Sequence, residues 1–169
     1  MIRIGDDGTT RRSILDMLRM ICPEADLAVD ADGTVKVGNL RACQQEFYTE
    51  HRSCRCICFA IMFERTTTIR VNAARAAAGN GGLTVDDNED NTVNGTGSDE
   101  TVFIDNRNRY APHPDWIILA HELCGHALPG MRGDHPEFRP GRPGFNPNWH
   151  QQAMDAENEV RREHGLPPR

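Results

Sequence analysis

The chain has 169 residues, a length typical of a single domain with one hydrophobic core. Its formal net charge is −6 and its 19 Lys and Arg residues are scattered, which argues against nucleic acid as a partner. No apolar run approaches the roughly 20 residues that cross a bilayer, so no membrane span is expected. The N-terminal segment Met1–Thr10 lacks the regions of a signal peptide, and any export is expected to use another signal or a carrier.

The first predicted elements are an amphipathic helix and a hairpin. Apolar residues recur at helical spacing after Ser13, a candidate N-cap; they are Ile14, Leu15, Leu18 and Ile21. Leu27–Val29 and Val35–Val37 then alternate on either side of Asp30–Gly33, which predicts a hairpin. The acidic turn resembles the start of a calcium loop but lacks the later ligands, so we interpret it as a turn.

The middle of the chain predicts one helix, strands and a loop. A second helix is expected after Asn39, with its buried side formed by Leu40, Cys43 and Phe47. Cys56–Phe63 is almost wholly apolar, which predicts a central strand, and Thr66–Val71 is expected to pair with it. Residues 79–100 predict a flexible loop, and Thr101–Asp105 a short edge strand.

The six cysteines do not have the spacing of a four-ligand zinc site. Cys54, Cys56 and Cys58 alternate as they would along one face of a strand. The simpler interpretation is that they are small core residues. The alternative is a disulfide, for example between Cys43 and Cys54, which would suit an oxidising destination.

Asp115–Leu128 predicts a core helix that ends at Pro129–Gly130. It is apolar on nearly all sides yet contains His121, Glu122 and His126, and buried polar side chains need partners. Neutral imidazoles coordinate zinc, and a Glu beside the first His can take a proton from bound water. The pattern therefore predicts zinc bound by the two histidines, with the Glu as general base. The alternative is a pair of buried histidines hydrogen-bonded within the core.

The two histidines are five residues apart, whereas the usual helical zinc motif places them four apart. Five residues of regular helix turn about 500°, which leaves the second His about 140° away from the first. Both can reach one metal if a π-type bulge lies between Glu122 and His126. Gly125 is suited to allow that distortion.

A third protein ligand is expected from the C-terminal segment. Gln151–His164 predicts a helix, and one stripe along it contains His150, Ala153, Glu157, Val160 and His164. Glu157 lies in the middle of this stripe and is the predicted third ligand, with Glu159 as the alternative. Asp155 and Glu163 are expected at the surface with Glu159.

The His-Glu-Leu-Cys-Gly-His-Ala motif at 121–127, with the closing segment Glu157–Arg169, resembles the metallopeptidase toxin domains of bacterial secretion systems. These include C-terminal extensions of type VI secretion spike (VgrG) proteins and Rhs-type toxins, with NleD-like effector proteases as relatives. The resemblance covers Asp115–Arg169, about a third of the chain. The six-residue form with Gly before the second His is similar to that of dipeptidyl peptidase III, a zinc enzyme. By this resemblance the Glu of the Glu157-Asn158 pair is the third ligand.

The resemblance implies a zincin-like α+β domain over residues 1–169, with the active-site helix on a short mixed sheet and the C-terminal helix supplying the third ligand. It implies a secreted zinc peptidase, a toxin or effector delivered into the periplasm or a host cytoplasm. The implied partners are a protein or peptide substrate and a cognate immunity protein.

Two parts of the predicted mechanism stay open. The oxyanion donor beyond zinc is His150, His135 or Tyr110, and the strand Thr101–Asp105 is expected to pair with an extended peptide. Two other functions compete with the toxin: a zinc hydrolase of cell-wall peptides or amides, and a non-catalytic adaptor or immunity-binding module stapled by zinc. A structural zinc has four protein ligands, whereas a catalytic zinc keeps a water.

Overall fold

The computed structural model describes residues 1–44, 52–88, 91, 94–110, 112–133 and 149–169. These residues form an α+β domain with a mixed four-stranded sheet and a two-stranded hairpin, which confirms the predicted fold class. The strands are β1 (Ile2–Ile4), β2 (Leu27–Val29), β3 (Val35–Val37), β4 (Thr67–Val71), β5 (Gly82–Asp86) and β6 (Glu100–Ile104). The helices are α1 (Gly8–Ile21), α2 (Arg52–Met62), α3 (Ala73–Ala76), α4 (Asp115–Glu122), α5 (Leu128–Arg132) and α6 (Trp149–Glu163).

The larger sheet has the strand order β1-β4-β6-β5. The first three strands in this order are parallel to one another, and β5 is antiparallel to β6 at one edge. The strand predicted at Thr101–Asp105 therefore exists, but it is an interior strand and not an edge. The edge strand β5 lies within residues 79–100, so the prediction of a loop was wrong over Gly82–Asp86. The composition of β5 is only weakly apolar and did not indicate a strand. The segment forms one through its backbone pairing with β6.

The predicted hairpin is confirmed by the antiparallel pairing of β2 with β3. The acidic residues between them serve the turn. Asp30 and Asp32 each accept a hydrogen bond from the backbone N–H of Thr34 through a carboxylate oxygen at 2.9 Å. These two carboxylates thus satisfy the backbone donor of a buried residue within the turn.

Helix α1 buries the predicted apolar face but begins earlier than expected. Its first residue is Gly8 and its N-cap is Asp7, so the prediction of Ser13 as N-cap was wrong. Strand β1, which precedes it, was not predicted. The strand pairs with β4 through backbone hydrogen bonds distant in sequence, which a local pattern does not show.

The strand predicted at Cys56–Phe63 is wrong, since this segment belongs to helix α2. Cys54, Ile57 and Cys58 are buried at i, i+3 and i+4, the spacing of one helical face. A short apolar run is compatible with either a strand or a buried helix, so periodicity alone did not decide. Thr67–Val71 pairs instead with β1 and β6.

The helix predicted after Asn39 is a short 3₁₀ turn over Leu40–Cys43. Asn39 caps it by accepting a hydrogen bond from the backbone N–H of Arg41. Leu40 is 67% exposed, so its predicted burial was wrong. Phe47, predicted on the same buried face, lies outside the described residues.

All six cysteines form disulfides, so they are more than small core residues, although Cys54 and Cys58 are fully buried. The bonds join Cys22 to Cys54, Cys43 to Cys58 and Cys56 to Cys124. The alternative of a disulfide was therefore right, but the example pair Cys43–Cys54 was wrong. Helix α2 supplies one cysteine to each bond. It is thereby linked to the end of α1, to the 3₁₀ turn and to the segment that follows α4.

Helix α4 lies at the centre of the domain. It packs against α1 and α6 and against strands β5 and β6 of the sheet. Its residues Ile117, Leu119 and Ala120 are fully buried. The core thus holds α4 where its polar residues face the cleft described next.

Within the described part of the chain, no helix is long and apolar enough to cross a membrane.

Candidate metal centre

The predicted bulge is confirmed. Helix α4 ends at Glu122, a π-helical turn spans Leu123–Ala127, and α5 continues to Arg132 without a break. The prediction that the helix ends at Pro129–Gly130 was therefore wrong. The wider π turn brings the second histidine round to the first, and the ring centroids of His121 and His126 are 5.1 Å apart. Both side chains are buried, each residue being 7% exposed.

Gly125 is needed for a reason other than the one predicted. A Cβ atom at this position would lie 2.4 Å from Cα and 2.5 Å from Cβ of Ala153. The glycine therefore lets α6 approach the π turn closely. Its contribution is to helix packing and not to an unusual backbone conformation.

The close approach of α6 brings a third histidine to the pair. His150, in the first turn of α6, is exposed, and its ring centroid is 5.2 Å from that of His121 and 6.1 Å from that of His126. One ligand nitrogen from each of the three residues lies within 4.8 Å of the others. The described residues thus contain a three-histidine group that can hold a metal ion.

Glu157, the predicted third ligand, contacts His121 from behind. Its Oε2 lies 3.0 Å from Nδ1 of His121, and its Oε1 accepts a hydrogen bond from Nε of Arg161 at 2.7 Å. Burial opposes ionisation of this carboxyl, but the hydrogen bonds from His121 and Arg161 outweigh it and lower its pKa to about 2. The ionised Glu157 fixes the His121 tautomer with the proton on Nδ1, so Nε2 is the nitrogen for a metal. The geometry favours His150 over Glu157 as the third ligand.

The alternative ligand Glu159 lies elsewhere. It pairs with Arg52 of α2 at 2.9 Å and does not line the cleft around the histidines. Asp155 is exposed, as predicted. Glu163 accepts hydrogen bonds from the backbone N–H groups of Arg52 and Ser53 at the start of α2. The acidic residues of α6 other than Glu157 therefore serve its outer side and its contact with α2.

Arg161 supports Glu157 and was missed by the sequence analysis. It is 5% exposed, and its Nη2 lies 2.5 Å from Nδ1 of His113. Burial, and then the charges of Arg169 and Arg161, lower the pKa of His113, which therefore accepts this hydrogen bond as a neutral ring. The only signal in the sequence was the i, i+4 spacing of Glu157 and Arg161, which is common on helix surfaces.

Glu122 lies beside the histidines and is 6% exposed. Its Oε2 accepts a hydrogen bond from Oγ1 of Thr84 on β5 at 2.8 Å. Gly82 leaves room for this carboxyl, because a Cβ there would lie 2.5 Å from Cγ of Glu122. Burial raises the pKa of Glu122, while the neighbouring His121 and the Thr84 hydrogen bond act in the opposite direction. The group is thus a buried carboxyl held at the cleft by β5.

Two adjoining cavities of about 240 and 290 Å³ form the cleft. Both are lined by Gly79, Asn80, His121, Glu122 and His150. The first extends along β5 past Leu83, Thr84 and Asp86, and the second extends toward Tyr110, His113 and Arg169. Of the three predicted oxyanion donors, His150 and Tyr110 line the cleft, and His135 lies outside the described residues.

The residues of this cleft fit a divalent transition metal. Three imidazoles on two helices supply nitrogen donors of intermediate softness, which zinc favours. His121 has the carboxylate partner on its second nitrogen that metal-binding histidines usually have. The described group has three members, which is the number of protein ligands in catalytic zinc sites.

No protein-family model, curated protein or solved structure matches this chain. The resemblance to secretion-system metallopeptidases therefore stays a prediction made from the motif.

Proposed function

We propose that this chain is a zinc-dependent peptidase with His121, His126 and His150 as ligands and Glu122 as general base. The observation that supports this most is the convergence of three imidazoles in an open cleft, beside a buried carboxyl. A zinc ion bound there would supply an activated water and polarise the scissile carbonyl.

The chain's own residues divide the remaining work between them. Glu122 accepts the proton of the attacking water on its carboxylate and later donates it to the leaving amine. Thr84 keeps that carboxylate turned toward the cleft through the hydrogen bond at 2.8 Å. Glu157 and Arg161 hold the His121 ring in place from behind. Tyr110, which lines the cleft, is the candidate donor to the oxyanion.

The three-member ligand group supports catalysis over the adaptor function. A zinc ion with a purely structural role is coordinated by four protein ligands. Among the described residues, the histidine group contains three, and the cleft beside it is open. A water position is therefore available.

The substrate proposal follows from the edge strand. β5 pairs with β6 on one side, lies at the edge of the described sheet on its other side, and lines the first cavity with Leu83 and Thr84. An extended peptide can add to this edge by backbone hydrogen bonds, next to Glu122. We therefore assign the pairing with an extended peptide, predicted for Thr101–Asp105, to Gly82–Asp86.

We extend the proposal to a toxin or effector of bacterial secretion systems on the strength of the motif resemblance. Three disulfides support a destination that is oxidising, because the cytosol keeps thiols reduced. Of the two predicted destinations, this favours the periplasm over a host cytoplasm.

Metal content and proteolysis test the proposal together. The purified chain should bind about one zinc per molecule and cleave a peptide library, and Glu122→Gln should keep the zinc but lose the cleavage. Glu159→Gln, on the outer side of α6, is the matched control and should stay active. Peptidoglycan-derived peptides in the same assay separate a general peptidase from a cell-wall hydrolase. A chain that binds no zinc, or a Glu122→Gln variant that cleaves normally, would contradict the proposal.

A further inference from the structure

One disulfide lies inside the metal motif. Cys124 belongs to the π turn between Glu122 and His126, and it is bonded to Cys56 of helix α2 across 68 residues of sequence. The bond therefore ties the distorted turn that positions His126 to a neighbouring helix.

This disulfide is also the most accessible of the three. Cys22, Cys54 and Cys58 are fully buried, so each of the other two bonds has at least one inaccessible sulfur. Cys56 and Cys124 are both partly exposed, and both line a cavity of about 180 Å³. That cavity shares no residue with the metal cleft and opens between α2, α5 and α6.

The cavity beside the disulfide is positively charged, although the chain carries a net charge of −6. Its charged residues are Arg52, Arg55, Arg132 and Glu159. Glu159 pairs with Arg52 at 2.9 Å. The guanidinium carbons of Arg55 and Arg132 lie 5.2 and 5.0 Å from the ring centre of Phe59, and neither arginine has an ion pair among the described residues. The positive charges of Arg55 and Arg132 are thus available to attract an anionic ligand.

We propose that Cys56–Cys124 is a thiol-exchange site for a small anionic thiol of the glutathione type. The thiolate attacks one Sγ, forms a mixed disulfide and releases the other cysteine as a thiolate, which takes up a proton. A second small thiol then attacks the mixed disulfide. The remaining cysteine is released, and the two small molecules leave joined by a disulfide bond. Two electrons pass from the two small thiols to the protein, which gains two cysteine thiols.

Reduction removes the bond that holds the π turn against α2. π turns are rare and occur mostly as single bulges within α-helices. This one is held to a neighbouring helix by a covalent bond through Cys124. The freed turn no longer presents His126 firmly to the other two histidines. The site is assembled in an oxidising compartment and loosened where small thiols are abundant. The effect on metal affinity rests on the proposed metal site, whereas the exchange reaction does not.

The order of reduction tests the exchange site. The oxidised full-length chain is treated with reduced glutathione or with uncharged 2-mercaptoethanol, quenched by alkylation at timed intervals and mapped by mass spectrometry. Cys56 and Cys124 should be alkylated first. An Arg55→Gln/Arg132→Gln variant should react about three- to tenfold more slowly with glutathione but at the parent's rate with 2-mercaptoethanol. An Arg12→Gln/Arg162→Gln variant, changed at two exposed arginines that do not line the cavity, should behave as the parent.

The consequence for the π turn is tested with Cys56→Ala/Cys124→Ala, against Cys43→Ala/Cys58→Ala as control. The first variant should show faster hydrogen exchange at the amides of Leu123–Ala127 and about tenfold weaker zinc binding. The control should keep both properties of the parent. Earlier opening of another disulfide, or unchanged exchange at the turn, would overturn the inference. If the parent binds no zinc, only the proposed peptidase function is contradicted. The thiol-exchange site is still tested by the order of alkylation and by hydrogen exchange.

Discussion

At the candidate metal centre, the His121 ring is held from behind by a chain of two further side chains. His121 donates to Glu157, and Glu157 accepts from Arg161. The three side chains are almost fully buried. A buried charge is tolerated only when it is paired and hydrogen-bonded, so removal of any member leaves the others with an uncompensated group. The histidine ring therefore cannot rotate freely in the absence of metal.

The third ligand can be identified by comparing His150→Ala with Glu157→Gln. Loss of His150 should weaken zinc binding by more than a hundredfold and change the visible spectrum of the cobalt-substituted protein, because a coordinating nitrogen is removed. Glu157→Gln should keep that spectrum and lower affinity about 10- to 100-fold, as supporting residues do. Chelator competition and cobalt absorption measure both. A changed spectrum in Glu157→Gln with a parental one in His150→Ala would restore Glu157 as the ligand.

Glu122 is expected to act in proton transfer and not in metal binding. Glu122→Gln should reduce kcat by about a hundredfold or more, with zinc content and melting temperature close to the parent's. Amide and carboxylate have the same shape, so the Thr84 hydroxyl keeps an oxygen to bond. Steady-state kinetics on a peptide found in the library screen, with zinc analysis of the same samples, check this. Loss of zinc in this variant would make Glu122 a ligand instead.

The residues of the site were predictable to different degrees. His121, Glu122 and His126 stand in one motif, so their spacing and chemistry indicated a metal before any fold was known. His150 was recognised only as a member of the α6 stripe and as an oxyanion donor. Both His150 and Glu157 lie on that stripe, and only the approach of α6 to the π turn decides which one meets the other histidines.

At the scale of elements, the site depends on the contact between the π turn and helix α6. The turn contributes His126, and the first turn of α6 contributes His150. The two meet where Gly125 faces Ala153, at a separation that leaves no room for a side chain on the glycine. Helix packing at this contact therefore sets the distance between two candidate ligands.

Gly125→Ala should separate these two elements. The new methyl group would overlap backbone and side-chain atoms of Ala153, and overpacking of this kind costs about 1 to 3 kcal/mol. We expect a lower melting temperature without metal and a further loss of zinc affinity, since His150 moves away from His126. Calorimetry and chelator competition measure the two effects. Gly79→Ala is the control, because a Cβ there has one ordinary contact at 3.7 Å. Parental zinc affinity in Gly125→Ala would show that the helix contact does not position the ligands.

The elements that sequence reasoning missed share a physical cause. The apolar run of helix α2 is compatible with either a strand or a helix. Its cysteines Cys54, Cys56 and Cys58 are each bonded to a partner elsewhere in the sequence. Strand β5 has few apolar residues and exists through its pairing with β6. Both outcomes depend on contacts distant in sequence, whereas the hairpin β2–β3 and the helix α6 follow from local patterns.

At the scale of the whole molecule, the buried carboxyl group of Glu100 is expected to couple folding to pH, and it has no ion pair among the described residues. Glu100 is fully buried in β6 and lies opposite Asp86 in the β5–β6 register. No donor among the described residues satisfies its carboxyl oxygens. Burial, followed by the nearby Asp86, raises the pKa of Glu100 to about 10. Two carboxyl groups can bond to each other only when one is protonated, so Glu100 carries that proton in the folded chain.

The stability of the folded chain should therefore depend on pH through Glu100. An unfolded Glu releases its proton above its ordinary pKa of 4.5, whereas the folded chain retains it up to about 10. The folded state binds one proton more than the unfolded state between these two pKa values. The stabilising contribution of Glu100 is therefore complete below pH 4.5 and decreases as the pH rises toward about 10. Glu100→Gln keeps a neutral donor to Asp86 and should remove this loss. Between about pH 6 and pH 8 the variant should gain up to about 1.4 kcal/mol per pH unit over the parent, as measured by urea unfolding. Asp16→Asn, at an exposed carboxyl of α1, should run parallel to the parent. Parallel curves for Glu100→Gln as well would mean that Glu100 is ionised in the fold.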